Sequence, residues 1–369
     1  MPADNLRRSS SREAAYRDPA GFACPKNMEY GPCGGVEFDG TCEVADHTCV
    51  FVDAATVTWR GIAPALREPP RMMADPVPDP MPSAGGAVMR ELIATRPIVV
   101  ADFPARALDA DSLRDCAHAL RGHVDAVLAG DSGTARVQFP PAYRASLLQA
   151  AGVDAWMGVN ARDRNRVALE AELAALAHVG AVGVHAVTGD HPLIGSRPDA
   201  AAVFDLDSTE IAALASRAGH LVSVAEAPLS PPVEQRPERL RQKQHAGADI
   251  CFVNHAGGVE PVREFIASAQ ALDVSVGYIP CVPIIVDRGS AELIRGFTSL
   301  ALPEGYLDGI LAADDPREAG IGAAVELSQR FLELEGVVGV DLSGGAGPGL
   351  ELDFAEALAE IADRIGVVA

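Results

Sequence analysis

Short apolar segments alternate with longer amphipathic segments from about residue 88 onward. Most of the short segments are continuous runs of apolar residues, which is typical of β-strands that are buried on both faces. The eight predicted strands are PIVVADF from Pro97, VDAVLA from Val124, DAWMGV from Asp154, VGVHAVT from Val182, LVSVAE from Leu221, ADICFVN from Ala248, VSVGYIP from Val274 and VVGVDLS from Val337.

The segments between these strands have helical spacing and helix boundary signals. DADSLRDCAHALRG begins with Asp and ends with Gly, and RDRNRVALEAELAALAHVG and DSTEIAALASRAG follow the same pattern. The last predicted helix is LDFAEALAEIADRIG. The result is eight β/α units over roughly 270 residues, and a (β/α)8 TIM barrel usually takes about 250. A doubly wound sheet is the alternative, but the GxGxxG expected after its first strand is missing.

Four regions are predicted from these changes in composition. Residues 1–20 are polar and are predicted to be mobile, and residues 21–60 form a Cys-rich module. Residues 61–87 are rich in Pro and Gly and are predicted to be an extended linker. The barrel is predicted to occupy residues 88–369.

Charge and hydropathy exclude several classes of protein. The formal net charge of -21 disfavours binding to nucleic acid or to an anionic membrane surface. No apolar run approaches the roughly 18–20 residues of a membrane span, and the N-terminus lacks the apolar core of a signal peptide. We therefore expect a cytoplasmic protein, in which structural disulfides are rare.

Chemistry in a TIM barrel is located at the carboxyl ends of the strands. Two carboxylates stand out there: Asp102 follows a buried run and precedes a Pro, and Asp190 lies in a Gly-Asp-His-Pro turn. Asp131 and Asp341 more often cap the helices that follow such strands. Neither a GxSxG nucleophile elbow nor an HExxH motif is present, so neither a serine hydrolase nor a barrel metal site is indicated.

The segment ACPKNMEYGPCGGVEFDGTCEVADHTC holds four of the seven cysteines. Four thiolates in a reducing compartment most often bind a tetrahedral Zn²⁺, and a [4Fe–4S] cluster uses the same number of ligands. Metal-free thiols are the third alternative, because the gaps exceed CxxC spacing. The predicted metal ligands are Cys24, Cys33, Cys42 and Cys49. A zinc site would be structural, and the module could also dock on the barrel or bind a partner protein.

Several motifs together resemble one family. VVADFPARALDADSL, VNARDRNRVALEAEL, VHAVTGDHP, VFDLDS, KQHAGADICFVN and VGYIPCVP occur in family order and cover most of residues 97–279. They resemble the methylenetetrahydrofolate reductases. CPKNMEYGPCGG, followed by GTCEV and a further Cys, resembles the module that is fused to or partnered with such reductases in bacteria.

The resemblance implies an activity in one-carbon metabolism. These reductases convert 5,10-methylenetetrahydrofolate to the 5-methyl form, with hydride from NAD(P)H, usually through FAD. The catalytic acid of the family, a Glu, corresponds to Asp102, which is one methylene shorter. Asp190 corresponds to the carboxylate that binds the pterin, and Asn254 to a Gln that contacts the folate. Glu226, at the end of the fifth strand, is a further predicted substrate-binding residue.

The resemblance also implies cofactor contacts. Lys243 corresponds to a lysine that meets the flavin phosphates, and the predicted cofactor-binding residues are Asn160, Arg162, Asp163, Lys243 and Asp205. The family's His in the third strand is replaced by Gly158. Some relatives pass hydride directly from NADH, so both routes stay open. The expected ligands are a reduced folate and a nicotinamide. The protein could also be a pterin-binding accessory of methyl transfer, another barrel enzyme, or a homo-oligomer.

Overall fold

The structure is a computed structural model that describes residues 18, 20–61, 83–130, 135–298 and 300–368. Its centre is a closed barrel of eight parallel strands, paired in chain order with β8 returning to β1. This confirms the predicted TIM barrel. The strands are β1 Ile98–Asp102, β2 Ala126–Ala129, β3 Ala155–Asn160, β4 Gly183–Val187, β5 Val222–Glu226, β6 Ile250–Val253, β7 Gly277–Pro283 and β8 Gly339–Ser343.

Helices surround the barrel, and a short 3₁₀ turn at Val233–Gln235 precedes α6. Asp207 begins α5 with a capping box, and Gly180 ends α4 in the left-handed conformation, as the boundary signals predicted. The helices are α1 Ala84–Thr95, α2 Ala110–Leu120, α3 Pro141–Ala150, α4 Arg166–Val179, α5 Ser208–Arg217, α6 Arg236–His245, α7 Val259–Gln270, α8 Arg288–Arg295, α9 Tyr306–Leu311, α10 Pro316–Leu332 and α11 Glu351–Ile365. Within the described ranges, no helix is long and apolar enough to cross a membrane.

The first helix closes the amino end of the barrel. It begins at Ala84 after the cap residue Ser83, inside the region 61–87 that was predicted as a linker. Met89 of this helix packs with Ile98 and Trp156 in the barrel interior. The rest of the predicted linker, 62–82, and nearly all of the predicted mobile N-terminus lie outside the described residues.

Side chains alternate between the two faces of the barrel wall. Trp156 Nε1 donates a 2.9 Å hydrogen bond to Ser223 Oγ, and His185 Nδ1 lies 2.8 Å from the same oxygen, so these three side chains point inward. Burial lowers the pKa of His185 to about 3, and the imidazole is therefore neutral. Apolar side chains fill the part of the interior nearest the N-terminal ends of the strands, whereas acidic side chains lie near the C-terminal ends.

The Cys-rich module packs against the loops after β4 and β5. It has a small core of its own, made of Met28, Val50, Phe51 and Ala54. The Tyr30 amide donates to Asp207 Oδ2 at 3.2 Å, which ties the module to the N-terminus of α5. On the other side, Ser230 Oγ donates to the Val36 carbonyl at 2.9 Å. The module therefore stands at the carboxyl end of the barrel, where the predicted site lies.

Candidate functional site

Asp102, the predicted catalytic acid, is the last residue of β1, and its carboxylate accepts hydrogen bonds from residues at the end of the neighbouring strand β8. Its Oδ2 accepts a hydrogen bond from Ser343 Oγ at 2.9 Å and another from the Gly344 amide at 3.0 Å. Gly344 has φ +155°, and an added Cβ would lie 3.3 Å from the Ile284 carbonyl oxygen. A glycine is therefore suited to this close approach of backbone and carboxylate.

The surroundings of Asp102 favour its protonated form. Burial raises the pKa of this carboxyl to about 6, although the hydrogen bonds from Gly344 and Ser343 work in the opposite direction. A carboxyl with a pKa of about 6 is protonated in about a tenth of molecules at pH 7, far more often than an ordinary aspartic acid. It can therefore give a proton to a bound substrate as a general acid.

Asp341 is a second acid in the barrel interior that the sequence analysis assigned to helix capping. It lies in the middle of β8 and is 1% exposed. Burial and the neighbouring Asp102 carboxylate raise its pKa well above the ordinary value. The inward direction of Asp341 could have been predicted from VVGVDLS. Val340 and Leu342 pack on the outer face of the barrel wall, and because side chains alternate along a strand, Asp341 points into the barrel.

A cavity of about 270 Å³ opens beside the ends of β2 and β3. Arginines dominate its described lining, and Asp163 is the carboxylate among them. It is lined by Gly130, Arg136, Val137, Gln138, Phe139, Pro141, Arg144, Gly158, Asn160, Arg162, Asp163 and Arg164. Guanidinium groups bind phosphate and carboxylate oxygens through paired hydrogen bonds. The cavity thus suits an anionic ligand in a protein whose net charge is strongly negative.

Three predicted cofactor residues meet in this cavity: Asn160, Arg162 and Asp163. Asn160 Oδ1 accepts hydrogen bonds from the Arg162 amide and from Arg164 Nη1, each at 3.2 Å, and Arg162 Nη2 donates to Asp163 Oδ2 at 3.2 Å. At Gly158, an added Cβ would approach the Gly130 Cα to 2.8 Å. A side chain such as the family's His cannot enter there unless the backbone moves.

The cavity is close to Asp102. Asp102 is in register with Leu128 on β2, two residues before Gly130 in the cavity lining. A ligand in the cavity can therefore extend toward the Asp102 carboxyl across the end of the barrel.

Asp190, the predicted pterin carboxylate, borders the same cavity through Arg136. Arg136 Nη2 donates to Asp190 Oδ2 at 3.2 Å, and the guanidinium also bonds the Ile194 carbonyl. The Arg136 side chain is buried, whereas 55% of the Asp190 side chain is exposed. Asp190 therefore faces solvent at the barrel mouth and is not enclosed in a dry site.

Glu226 and Lys243 lie outside the barrel wall, between β5 and α6. Ser223 points inward, so Glu226, three residues later, points to the helices. Lys243 Nζ lies 2.5 Å from Glu226 Oε1 and donates to the Ala225 carbonyl at 2.5 Å, and both side chains are buried. Arg236 Nη1 approaches Glu226 Oε2 at 3.6 Å. The predicted substrate role of Glu226 and the predicted phosphate role of Lys243 thus have no support in their placement.

The remaining predicted residues are dispersed. Asp205 Oδ2 accepts from the Arg166 amide at 2.8 Å, which stabilises the start of α4, and Asp205 does not line the cavity. Asn254 follows β6, its amide donates to the Glu226 carbonyl at 2.8 Å, and its side chain is partly exposed at the barrel mouth. Beside it, His255 is buried, and burial lowers its pKa to about 4.

The four cysteines of the module share one small pocket. Cys24, Cys33, Cys42 and Cys49 all line it and are free thiols, and His47 lines it as well. Its space of about 10 Å³ is that of one water-sized sphere, enough for a single ion. Within the described residues, no group of three or more His, Cys, Asp or Glu is drawn together as tightly as a bound metal requires.

Polar contacts join this pocket to the barrel. The Gly35 amide donates to Cys33 Sγ at 3.3 Å, and Arg236 Nη1 donates to the Cys33 carbonyl at 3.4 Å. Lys26 forms a buried ion pair with Glu43. The Cys33 and Asp190 charges also help to raise the pKa of Lys26, which places this lysine between the thiols and the barrel mouth.

Comparison with known proteins supports the family resemblance found in the sequence. Residues 20–61, the Cys-rich module, match the family model described as methylene-tetrahydrofolate reductase C terminal. The module is similar to that family. This confirms the resemblance deduced from the cysteine and glycine pattern. A sequence comparison with curated proteins found no match.

Solved structures were compared with the barrel, and one of them shares its fold with a TM-score above 0.5. One is an uncharacterized protein from Clostridium thermocellum that binds two copies of 5-methyl-5,6,7,8-tetrahydrofolic acid: the TM-score is 0.54 at 11% identity, over 73% of this chain and 97% of that one. Lower scores come from 2,3-dimethylmalate lyase, 0.43 at 14% identity over 71% of this chain and 79% of that one. Tryptophan synthase from M. tuberculosis gives 0.46 at 15% identity over 78% and 100%. At these identities the likeness concerns the fold alone.

Proposed function

We propose that this protein is a folate-dependent oxidoreductase that interconverts 5,10-methylenetetrahydrofolate and 5-methyltetrahydrofolate with a nicotinamide. The placement of Asp102 carries the proposal: a carboxyl with a pKa raised to about 6 stands at the barrel mouth beside an arginine-lined cavity. The matched module and the shared fold of the Clostridium thermocellum protein support a reduced folate as the ligand.

The chemistry requires one proton and one hydride. The five-membered ring of the methylene form opens when N10 takes a proton, and the C–N10 bond breaks to leave an N5 iminium. Asp102 supplies that proton, and the nicotinamide supplies the hydride that reduces the iminium carbon to a methyl group. General acids of this kind contribute about 10²–10⁴-fold to a rate.

Asp190 orients the pterin in this proposal. A carboxylate accepts two parallel hydrogen bonds from the amino and amide edge of the ring. Arg136 fixes the direction of the carboxylate through its 3.2 Å hydrogen bond while leaving more than half of the Asp190 side chain open to a ligand. Asn254 supplies a further amide at the same end of the barrel.

The arginine-lined cavity holds the anionic part of the nicotinamide dinucleotide. Arg144 and Arg162 are buried or partly buried in its wall and are suited to a diphosphate. Flavin fits less well, because Lys243 is occupied by Glu226 outside the barrel and Asp205 stabilises α4. We therefore propose direct hydride transfer. Flavin absorption in the purified protein would contradict it.

The four-cysteine pocket supplies a thiolate donor set for one Zn²⁺, and its side chains would have to draw closer together than they stand in the structure. Zinc has no redox chemistry. When bound, it would cross-link the module and hold it against the loop that carries Asp190. A [4Fe–4S] cluster would use the same four thiolates.

A pterin-binding accessory without hydride chemistry is the second candidate. The observation that favours it is the short acid at position 102 together with the occupied Lys243. Incubation of the purified protein with NADH and 5,10-methylenetetrahydrofolate, and separately with NAD⁺ and the 5-methyl form, tests the two. Nicotinamide turnover supports the oxidoreductase. Folate binding by calorimetry without turnover of NADH or NADPH would replace it with the accessory function.

A further inference from the structure

Asp102 and Asp341 enter the same space from neighbouring strands. Asp341 is in register with Val100 on β1 and with Cys281 on β7. Val100 and Asp102 are two residues apart and so lie on one face of β1, the inward face. The side chains of Asp102 and Asp341 therefore lie in adjacent layers of the barrel interior, near the C-terminal ends of the strands, and together form one acidic cluster.

The hydrogen bonds are divided unequally between the two acids. Asp102 Oδ2 accepts two of them, from Ser343 and Gly344. Asp341 Oδ1 is fully buried, and among the described residues it has no hydrogen-bond partner. Hydrogen bonds to a carboxylate favour its ionised form, and burial without them favours the protonated form.

The groups around Asp341 offer no positive charge to offset this. Within the described part of the chain, the titratable groups that interact with Asp341 are the Asp102 carboxyl on β1 and the Cys281 thiol on β7. The thiol hydrogen bond favours an ionised Asp341, but burial and the like charge of Asp102 outweigh it. An ionised carboxylate there would be an unpaired buried charge, which is costly.

We propose that Asp341 is a positioning residue that shares one proton with Asp102 and holds it at neutral pH until the substrate takes it from Asp102. This inference rests on the proposed function. Of the two acids, Asp102 ionises first, at a pKa of about 6, and Asp341 keeps its proton to higher pH. Two coupled carboxyls titrate as a unit, so one proton stays in the cluster well above pH 6.

The proton balance is simple. In the reductive direction the cluster starts with one proton on Asp341. That proton passes to Asp102 and then to N10 of the folate as the C–N10 bond breaks. The cluster is left with both carboxylates ionised, and solvent returns one proton after product release. The reaction consumes one proton for each hydride, as the overall conversion requires.

Infrared spectroscopy of the ligand-free protein at neutral pH tests where the proton resides. The wild type should show the carbonyl band of a protonated carboxylic acid, with a shift in heavy water. Asp102→Asn should keep that band, and Asp341→Asn should lose it. An unchanged band in Asp341→Asn, or no such band in the wild type, overturns the proposal. The wild-type spectrum and that of Asp102→Asn decide the matter even if Asp341→Asn fails to fold.

The pH profile separates a shared proton from a merely structural acid. In the wild type the reductase rate should persist above pH 6, whereas in Asp341→Asn it should fall as pH rises through about 6, the pKa of Asp102. The KM for the folate should stay within about twofold. An unchanged profile would overturn the proton-sharing role. A protein without any turnover contradicts the proposed function instead, and the infrared spectra still locate the proton.

Discussion

Arg136 Nη2 donates a 3.2 Å hydrogen bond to Asp190 Oδ2, which joins the loop after β2 to the loop after β4 across the mouth of the barrel. The arginine is buried and the carboxylate is largely exposed. Such a pair adds little to stability, because water screens its open side. The pair instead fixes the orientation of the Asp190 carboxylate, because Arg136 bonds one of its oxygens and leaves the other side of the group available to a ligand.

Asp190→Ala should therefore weaken binding of 5-methyltetrahydrofolate while the fold remains intact. A charge-assisted hydrogen bond is worth about 1.5–3 kcal/mol, so Kd should rise about tenfold to a hundredfold. Calorimetric titration measures it. Asp199→Ala is the matched control, since Asp199 lies in the same loop, is 66% exposed and also pairs with an arginine. Equal folate affinity in the two variants would remove Asp190 from the pterin site.

The Glu226–Lys243 pair should behave as a buried structural ion pair. Lys243→Met removes the closer of the two cations beside the buried Glu226 and leaves Arg236 at 3.6 Å, and breaking such a buried pair costs up to about 3–5 kcal/mol. Denaturant unfolding should show the loss, while Arg263→Met, which breaks an exposed pair with Glu260, should cost under about 1 kcal/mol. If Lys243→Met keeps wild-type stability but weakens NADH or flavin binding, the lysine meets phosphates as the family resemblance implies.

The sequence predicted the architecture because every strand carries its own local signal. Eight apolar runs, with capped helices after most of them, were enough to give the barrel and its order. β7 was placed too early: Val274 and Val276 are buried before the strand, which runs from Gly277 to Pro283. The three helices that follow β7, α8 to α10, were not predicted individually, because no single helical repeat of apolar residues runs through that part of the sequence.

The site was harder to predict, because the face of a strand decides the role of its side chains. Glu226 ends β5 and Asp341 lies in the middle of β8, and the first points to α6 whereas the second points into the barrel. Counting alternation from Ser223 or from Val340 would have distinguished them. The arginine-lined cavity could not have been predicted from spacing, because the loops after β2 and β3 approach each other only in the closed barrel.

The cysteine pocket should hold one metal ion per chain. Elemental analysis of protein purified without chelator should give about one Zn, and Cys33→Ser should lose it and expose residues 20–61 to protease. Cys116→Ala is the control, because Cys116 is buried in α2 and does not line the pocket, so its loss should leave the metal content unchanged. Iron with inorganic sulfide would establish a cluster instead, and four reactive thiols without metal would refute the metal site.

Asp102 should also make folding stability depend on pH. Its pKa is about 6 in the folded protein and about 3.9 in an unfolded chain, so the folded state binds more protons between these values. The contribution of Asp102 to the free energy of unfolding should therefore decline as pH rises from about 4 to about 6. Asp102→Asn should make that decline shallower, and the remainder comes from the raised pKa of Asp341. Denaturant titrations at a series of pH values measure the difference. A parallel pH dependence in both proteins would contradict the raised pKa.

Asp102 should contribute to the rate and not to folate affinity. In Asp102→Asn the group at the end of β1 keeps its size and can still meet Ser343 and Gly344, but it has no proton to give to N10. General acid catalysis acts in the transition state, so kcat should fall about 10²–10⁴-fold while the folate Kd changes little. Single-turnover measurements with NADH follow the chemical step directly.

Asp102→Glu lengthens the acid by one methylene to that of the related reductases, and its rate should equal or exceed that of the wild type. If Asp102→Asn turns over 5,10-methylenetetrahydrofolate at the wild-type rate, the proton comes from another group. If neither the wild type nor Asp102→Glu oxidises NADH with any folate while both bind it, the pterin-binding accessory function is the correct one.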